Sequence, residues 1–331
     1  MAQVTGSFDT YEAVGNREEL AEAIYMITPE DTPLMTLLGR EPVKTTHPEW
    51  QIDALATPGM NAVVEGDTWA FSEFTPTDRV GNYTQISDKK IAVTRTQEKT
   101  LKAGRKSELK RELKKKGAEL KRDMEYALLQ NNASVAGAAA TPRELAGFAA
   151  WLETNTARGA GGADGGFNSS TGLVDAATNG TQRAFAKTDL DDVLEKAKAS
   201  GGKPSVVMTS LYNKRVFSEF AGIAELRSNQ NQGSKSQLTI FAGADTYVSD
   251  FGVLTIIPNL VMSTDAATAR NVFVIDPDKA KVGIFDDITM HDVAKVGDAE
   301  RRALTVEYTL IMRNEAAHGI VADTFGLTAS S

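Results

Sequence analysis

Residues 101–131, LKAGRKSELKRELKKKGAELKRDMEYALLQN, carry the clearest helical pattern in this 331-residue chain. Leu109, Leu113, Leu120, Met124 and Leu128 recur at spacings of 4, 7, 4 and 4, which puts them on one stripe of an α-helix. No proline interrupts the run, and only Gly104 and Gly117 weaken it. The pattern predicts a single helix about 45 Å long. Ten basic residues lie on it: Lys102, Arg105, Lys106, Lys110, Arg111, Lys114, Lys115, Lys116, Lys121 and Arg122. Five acids (Glu108, Glu112, Glu119, Asp123, Glu125) leave it at +5. The whole chain carries −8, so everything outside this stretch sums to −13.

That asymmetry sits in an otherwise ordinary composition. Hydrophobic residues make up 41% and charged residues 24%, values that exclude disorder and membrane classes. The length suits about two domains. There is no cysteine, hence no disulfide framework, thiolate metal site or cysteine nucleophile. Residues 1–20 show neither the basic start nor the apolar run of a signal peptide. The most apolar window, Phe251 to Met262, is too short and too interrupted to span a bilayer.

On the N-terminal side of the helix, residues 46–96 alternate apolar and polar positions at Trp50/Ile52, Trp69/Phe71 and Ile91/Val93, with turns expected at Pro58-Gly59 and Ser87-Asp88. So few large apolar groups cannot form an independent sheet, and a protruding β-loop is expected. Residues 1–45 hold eight acids and three bases, a net of −5. A short helix is expected over Glu18–Met26, interrupted by Thr28-Pro29 and Thr32-Pro33. This segment has no core of its own and must lie on something else.

On the C-terminal side, Thr141-Pro142-Arg143-Glu144 has the form of a capped helix start, with Leu145, Phe148 and Leu152 inward. The glycine-rich stretch 154–181 is expected to be a long flexible loop or loose hairpin. Thereafter helices and strands alternate. Helices are expected from a Thr188 cap (Leu190, Val193, Leu194 and Ala197 inward) and over Leu211–Phe220. Residues 227–237 form a polar loop. Strands are expected at Ser205–Met208, Val253–Ile257, Val272–Ile275, Lys281–Phe285, Arg302–Met312 and Ile320–Phe325. The class is α+β.

Searches for chemistry return bland readings. His47, His291 and His318 share no ligand spacing and are expected to be satisfied surface or core residues. Asp276 and Asp278 flank Pro277 without completing a calcium loop. Gly159, Gly161, Gly162, Gly165 and Gly166 miss the dinucleotide fingerprint, and Gly201-Gly202-Lys203 is not a P-loop. No catalytic, cofactor-binding or metal residue is assigned, and no cofactor is expected.

The order arm, extended loop, long helix, mixed lobe resembles the major capsid proteins of tailed double-stranded DNA bacteriophages, which share the Hong Kong 97 capsid fold. The resemblance rests on Asn16-Arg17-Glu18-Glu19-Leu20 and the run Thr28-Pro29-Glu30-Asp31-Thr32-Pro33-Leu34. It continues in Lys203-Pro204-Ser205-Val206-Val207-Met208, then Val306-Glu307-Tyr308-Thr309-Leu310 and Arg313-Asn314-Glu315-Ala316-Ala317-His318-Gly319. It implies an N-terminal arm (1–45), an extended E-loop (46–98), a spine helix with its peripheral domain (99–185) and an axial domain (186–280). Residues 281–331 then return through the peripheral sheet to a last axial strand. About 45 residues precede the loop, too few for the scaffolding extension many relatives carry, so a separate scaffolding protein is expected.

The function so implied is a structural, non-enzymatic subunit assembled in the bacterial host cytoplasm and residing in the virion. It would form hexameric and pentameric capsomers, and from them the icosahedral head around double-stranded DNA. Portal and decoration proteins are further implied partners; a membrane is not. Trp50, Trp69, Phe71 and Phe74 are the expected interface anchors of the loop, with packing on the spine as their plainer role. The ten basic residues 102–122 are expected to meet the acidic arm or a neighbouring subunit, ahead of non-specific contact with packaged DNA. Lys89 and Lys90 fall in the loop, but no asparagine is matched to them for the subunit crosslink some members form. The competing reading is a nucleic-acid-binding module built on 102–122.

Overall fold

The structure, a computed structural model, describes residues 31–68, 71, 73–74, 76–101, 106–220 and 246–329. The expected helix over Glu18–Met26 and the polar loop 227–237 lie outside these residues. The described chain begins with α1 (Pro33–Leu38), where proline takes the first turn, and Leu34 and Leu38 are fully buried. Strands β1 (Arg40–Pro42), β2 (Glu49–Ile52), β3 (Asp78–Gly81) and β4 (Gln85–Thr94) follow. Thr94 closes β4 and caps the short helix α2 (Arg95–Lys99), its hydroxyl accepting from Gln97 N.

The long helix α3 runs Glu108–Leu129, 22 residues rather than the 31 expected, or about 33 Å. Ser107 starts it by accepting from Lys110 N, and the Glu98 carboxylate reaches over from α2 to accept from the amides of Glu108 and Leu109. Residues 102–105 lie outside the described set. Within α3 there are seven basic and five acidic residues, so the element itself carries +2.

The helix start expected at Thr141 is not there. Val135 and Glu144 exchange backbone hydrogen bonds, as do Ala138 and Thr141, and this small hairpin uses the amides a helix would need. Leu145 N then donates to Gln85 Oε1 and Ala146 N to Asn82 Oδ1. Helix resumes only as α4 (Phe148–Trp151), with Leu145, Phe148 and Leu152 buried as the spacing predicts. The stretch 154–181 is a packed structure, not a loose loop. It holds β5 (Thr156–Ala157) and a hairpin of β6 (Gly166–Asn168) on β7 (Leu173–Asp175). Gly159, Gly165 and Gly180 serve close backbone approach: a Cβ on Gly159 would lie 2.0 Å from Thr181 O.

Helix α5 (Lys187–Ala199) starts one residue before the expected Thr188 cap, with Ala186 at the N-cap and no side-chain cap. Leu190, Val193, Leu194 and Ala197 face inward. Strand β8 (Val206–Thr209), helix α6 (Leu211–Ser218), β9 (Thr246–Ser249) and β10 (Gly252–Pro258) come next. Then come β11 (Val272–Ile275), β12 (Ala280–Val293), β13 (Ala299–Met312) and β14 (Gly319–Val321). Strand β12 extends well beyond the expected Phe285, because the 14-residue β13 gives it a partner along nearly its whole length.

Two main sheets result. One has the order β1-β12-β13-β4, and α3 lies against β4 and β13. The other has the order β5-β14-β11-β8-β10-β9. Its central strands VVMT and VFVI are buried throughout, since both faces are covered. Alternation assigns the faces: Val206, Met208, Phe273 and Ile275 join the large core with α3, α4 and the first sheet. Val207, Val272 and Val274 point to a second core under α5 and α6.

A fully buried carboxylate lies among the elements of the large core. Glu125 of α3 accepts from Leu34 N (2.7 Å), Met35 N (2.9 Å) and Asn259 Nδ2 (2.7 Å). Burial pushes its pKa above the ordinary carboxylate value despite those three donors. Glu125→Ala is expected to destabilise the unassembled subunit by about 3 kcal/mol, because it strands three buried donors. Glu125→Gln should cost less, as measured by denaturant unfolding.

His318 is equally buried, its Nδ1 accepting from Asp276 N (3.2 Å) and its ring edge-on to Phe148. Nε2 has no hydrogen-bond partner, so the expectation of a satisfied histidine holds for one nitrogen only. Burial lowers its pKa to about 4. A depressed folded pKa makes stability fall with acid. As pH drops from about 6.5 towards 4, the unfolded chain takes up a proton that the folded chain refuses, a loss of up to about 3 kcal/mol. Denaturant midpoints at pH 7 and 4.5 should show that loss, and His318→Phe should shrink it.

Candidate assembly surfaces

The projecting hairpin is built from its base outward. Strand β2 pairs antiparallel with β3 in the register Glu49↔Gly81 to Ile52↔Asp78. At the base the His47 ring stacks on Tyr83 with centroids 4.1 Å apart and planes 7° from parallel. Gly81 permits this, since a Cβ there would lie 2.8 Å from His47 Nε2. Burial lowers the His47 pKa, Glu49 raises it and Arg79 lowers it, and Nε2 again finds no partner. One step further, Trp50 stacks on Trp151 (5.7 Å between centroids), which stacks in turn on Phe167. Trp50 is thus half-buried against the chain's own core.

Beyond Ile52 regular pairing stops. Among the described residues of 53–77 there is no strand, a turn falls at Glu65-Gly66 instead of Pro58-Gly59, and Ser87-Asp88 lie inside β4 paired with β13. Among the described residues, those of 53–77 have almost no core contact to support pairing, and a ribbon without a packed face is marginal in water. The consequence is extreme exposure: Leu55 99%, Met60 101%, Phe71 92% and Phe74 98%. Val63 and Val64 are exposed as well. Single exposed apolar residues are ordinary, but a cluster on one projection marks a surface awaiting a partner. Trp69 lies outside the described residues.

The basic helix is only partly free. Arg111 binds Glu108 and Glu112, and Lys116 binds Glu119 at 2.7 Å. These pairs are i,i+3 and adjacent contacts worth a few tenths of a kcal/mol each. Asp123 pairs across to Lys89 of β4, and Lys90 pairs with Asp88 of its own strand at 2.8 Å. Lys106, Lys110, Lys114, Lys115 and Lys121 remain exposed, with Arg122 half-exposed beside them. Lys102 and Arg105 lie outside the described residues.

A third surface escaped the sequence reading. The distal half of the β12–β13 hairpin exposes Phe285, Met290, Val293 and Val296. Ending the strand at Phe285 hid it. The length of Arg302–Met312 was the available signal, since so long a strand requires an equally long partner.

Among the described residues no catalytic constellation emerges. His318, Tyr247 and Tyr308 have the most displaced pKa values, about 4, 12 and 12, and burial is the first cause for all three. All three are buried. Among the described residues no group of three or more His, Cys, Asp or Glu is placed to hold a metal. No described helix is long and apolar enough to cross a membrane.

Comparison with known proteins bears on these surfaces. The sequence matches the model of the SU10 major capsid protein family over residues 3–325. It is 28% identical, over 365 aligned positions and 98% of each chain, to the major capsid protein of Escherichia phage Phieco32. Among solved structures, the cyanophage A-1(L) capsid subunit superposes with a TM-score of 0.60 at 14% identity, covering 96% of this chain and 98% of that one. A Gordonia phage Cozz chain superposes at 0.59 and 13% identity, covering 97% and 96%. At such identities the structural likeness speaks to fold: the architecture is the Hong Kong 97 capsid fold.

The hairpin geometry separates two classes of aromatic residue. Trp50→Ala is expected to cost the isolated subunit about 2 kcal/mol in denaturant unfolding, through lost packing on Trp151. Phe71→Ala and Phe74→Ala should leave that unfolding within about 0.5 kcal/mol of the parent.

Proposed function

The chain belongs to the SU10 major capsid protein family, a phage protein forming the icosahedral capsid and part of the virion, and on that premise we propose how its surfaces divide the work. The observation that carries the reading is the loop 53–77, where Leu55, Met60, Val63, Val64, Phe71 and Phe74 are exposed. Residues 46–98 act as the E-loop, laid over the next subunit so that Trp69, Phe71 and Phe74 are buried there. Trp50 fixes the angle at which the loop leaves the body. Each loop covers a different patch on its neighbour, so the contact is heterologous and closes into rings, giving hexamers and pentamers.

The remaining segments follow the same division. Residues 99–185 supply the spine and most of the peripheral lobe, 186–280 the axial lobe meeting at capsomer centres, and 281–331 tie the two. The arm, residues 1–45, carries −5 and is the preferred counter-charge for the exposed lysines of α3, ahead of packaged DNA. Assembly takes place in the host cytoplasm with a separate scaffolding protein, and portal and decoration proteins join the same shell. The subunit's role is structural and non-enzymatic. The +2 of the helix itself and the −8 of the chain disfavour a stand-alone nucleic-acid-binding module.

Negative-stain microscopy of the purified protein, alone and with the scaffolding partner, should show capsomers and shells. A protein that stays monomeric under every condition refutes the reading. The double variant Phe71→Ala/Phe74→Ala should lose shells while remaining folded. Salt should weaken assembly of the intact chain more steeply than that of a chain lacking residues 1–30, and equal slopes would rule out arm–helix docking.

A further inference from the structure

The projecting loop leaves the body through a neck of two chain segments. His47 stands on the entering segment, just before β2, and Tyr83 on the leaving one, just after β3. The leaving segment is anchored to the body: Asn82 is bonded to Ala146 and Leu310, and Tyr83 O accepts from Thr309 Oγ1 (2.8 Å). The entering segment holds to it in three ways. Asn82 N donates to Pro48 O (3.2 Å), Thr84 N donates to Thr46 O (2.9 Å), and the His47 ring lies flat on Tyr83. The imidazole thus ties one leg of the loop to the leg that the body holds.

We infer that the His47–Tyr83 stack is a proton-operated latch on this neck, closed on a neutral imidazole and released when the ring takes up a second proton. The neutral ring suits its place. Nδ1 lies 3.9 Å from Glu49 Oε1, while Nε2 is buried against Gly81 with no hydrogen-bond partner among the described residues. With the proton on Nδ1, only a lone pair occupies that slot. A second proton puts a charged N–H there with no acceptor, and a buried unpaired donor is costly. The Tyr83 face gives a cation some return, but the N–H on Nε2 stays unmet as long as the ring is stacked. Two charges act on the ring: Glu49 of β2 attracts the cation, and Arg79 of β3, 3.4 Å from the same Glu49 oxygen, opposes it. On the body side Glu307 of β13 is already engaged by Thr84 Oγ1 and Arg143. Leaving the stack gives both nitrogens to water, so proton uptake and opening of the neck are coupled. Burial holds the stacked ring below its ordinary value of 6.5, so the latch is at full strength above that pH and weakens as pH falls past it. Any effect of acid on assembly through the latch rests on the proposed burial of the loop on a neighbour; the latch itself belongs to the single subunit.

Hydrogen exchange of the unassembled full chain at about pH 7.5 and 5.5, corrected for the pH dependence of the chemical step, tests this. The amides of Asn82 and Thr84, which close the neck, should lose protection severalfold at the lower pH, by at most about tenfold per unit below 6.5. His47→Phe keeps a flat ring that cannot titrate and should show no such loss. The amides of Val207 and Val274, deep in the second sheet, supply the baseline for global opening, including any that His318 causes. Equal acid loss in parent and variant beyond that baseline, or no loss in the parent, would overturn the inference. The parent alone gives a second readout that does not depend on the variant folding. In protein carrying carbon-13-labelled histidine, the His47 ring signal should titrate below 6.5, and a ring titrating at 6.5 or above refutes the latch. Neither measurement involves assembly, so failure of the latch leaves the assignment of the loop as an assembly surface standing, and the reverse holds too.

Discussion

The architecture depends on the Glu125 carboxylate, sealed in the core at the meeting point of three segments. It takes two amides from the start of α1, an amide from the Asn259 side chain, and is itself carried by α3. Asn259 turns its oxygen to the amides of Val261 and Met262, so the turn after β10 is held in the same network. A buried carboxylate is costly unless donors surround it, and here every donor comes from a different piece of chain than the helix. The spine helix, the start of α1 and the turn after β10 of the second sheet are therefore tied to one another through one group. The large core, which spans both sheets, packs around that arrangement.

Other junctions use the same device. Asn82 donates to the carbonyls of Ala146 and Leu310 and accepts from the amides of Tyr83 and Ala146, joining the hairpin base to β13 and the approach to α4. Asp323, with φ 62°, accepts from Arg270 and from Gly159 N, which pins the glycine-rich segment to the end of the second sheet. Buried polar groups with several partners specify geometry in a way apolar packing does not. Between these junctions two packed cores fill the body, and the described apolar residues of 53–77 stand out from it as exposed surface. A shell subunit needs both properties: a body that keeps its angles, and projections whose burial is completed by neighbours.

The parts legible in the sequence were those governed by local periodicity. The stripe Leu109–Leu128, the inward face of α5 and the strands VVMT and VFVI all declare themselves through spacing, because burial on one or both faces imposes a period. The projecting loop was legible for the opposite reason, a shortage of apolar groups. The misreadings share a cause. Thr141-Pro142-Arg143-Glu144 has good helix-start chemistry, yet Ala138 and Val135 take the backbone of Thr141 and Glu144 into other hydrogen bonds, and Gln85 and Asn82 take the amides of Leu145 and Ala146. Glycines 159–166 suggested looseness, but Gly159 and Gly165 sit where another backbone passes too close for a Cβ.

From the sequence alone came the long helix, the α+β class, the charge asymmetry and the absence of cysteine. These are properties of composition and short-range pattern. Tertiary structure alone decided which residues of each candidate set remain available. It buried Trp50 on Trp151 while leaving Phe71 and Phe74 in water, and reduced the +5 stretch to a +2 helix with a few free lysines. It also turned Glu125, one acid among five on a basic helix, into the group on which three segments converge. Partners distant in sequence set burial and hydrogen bonding, and no local pattern encodes them.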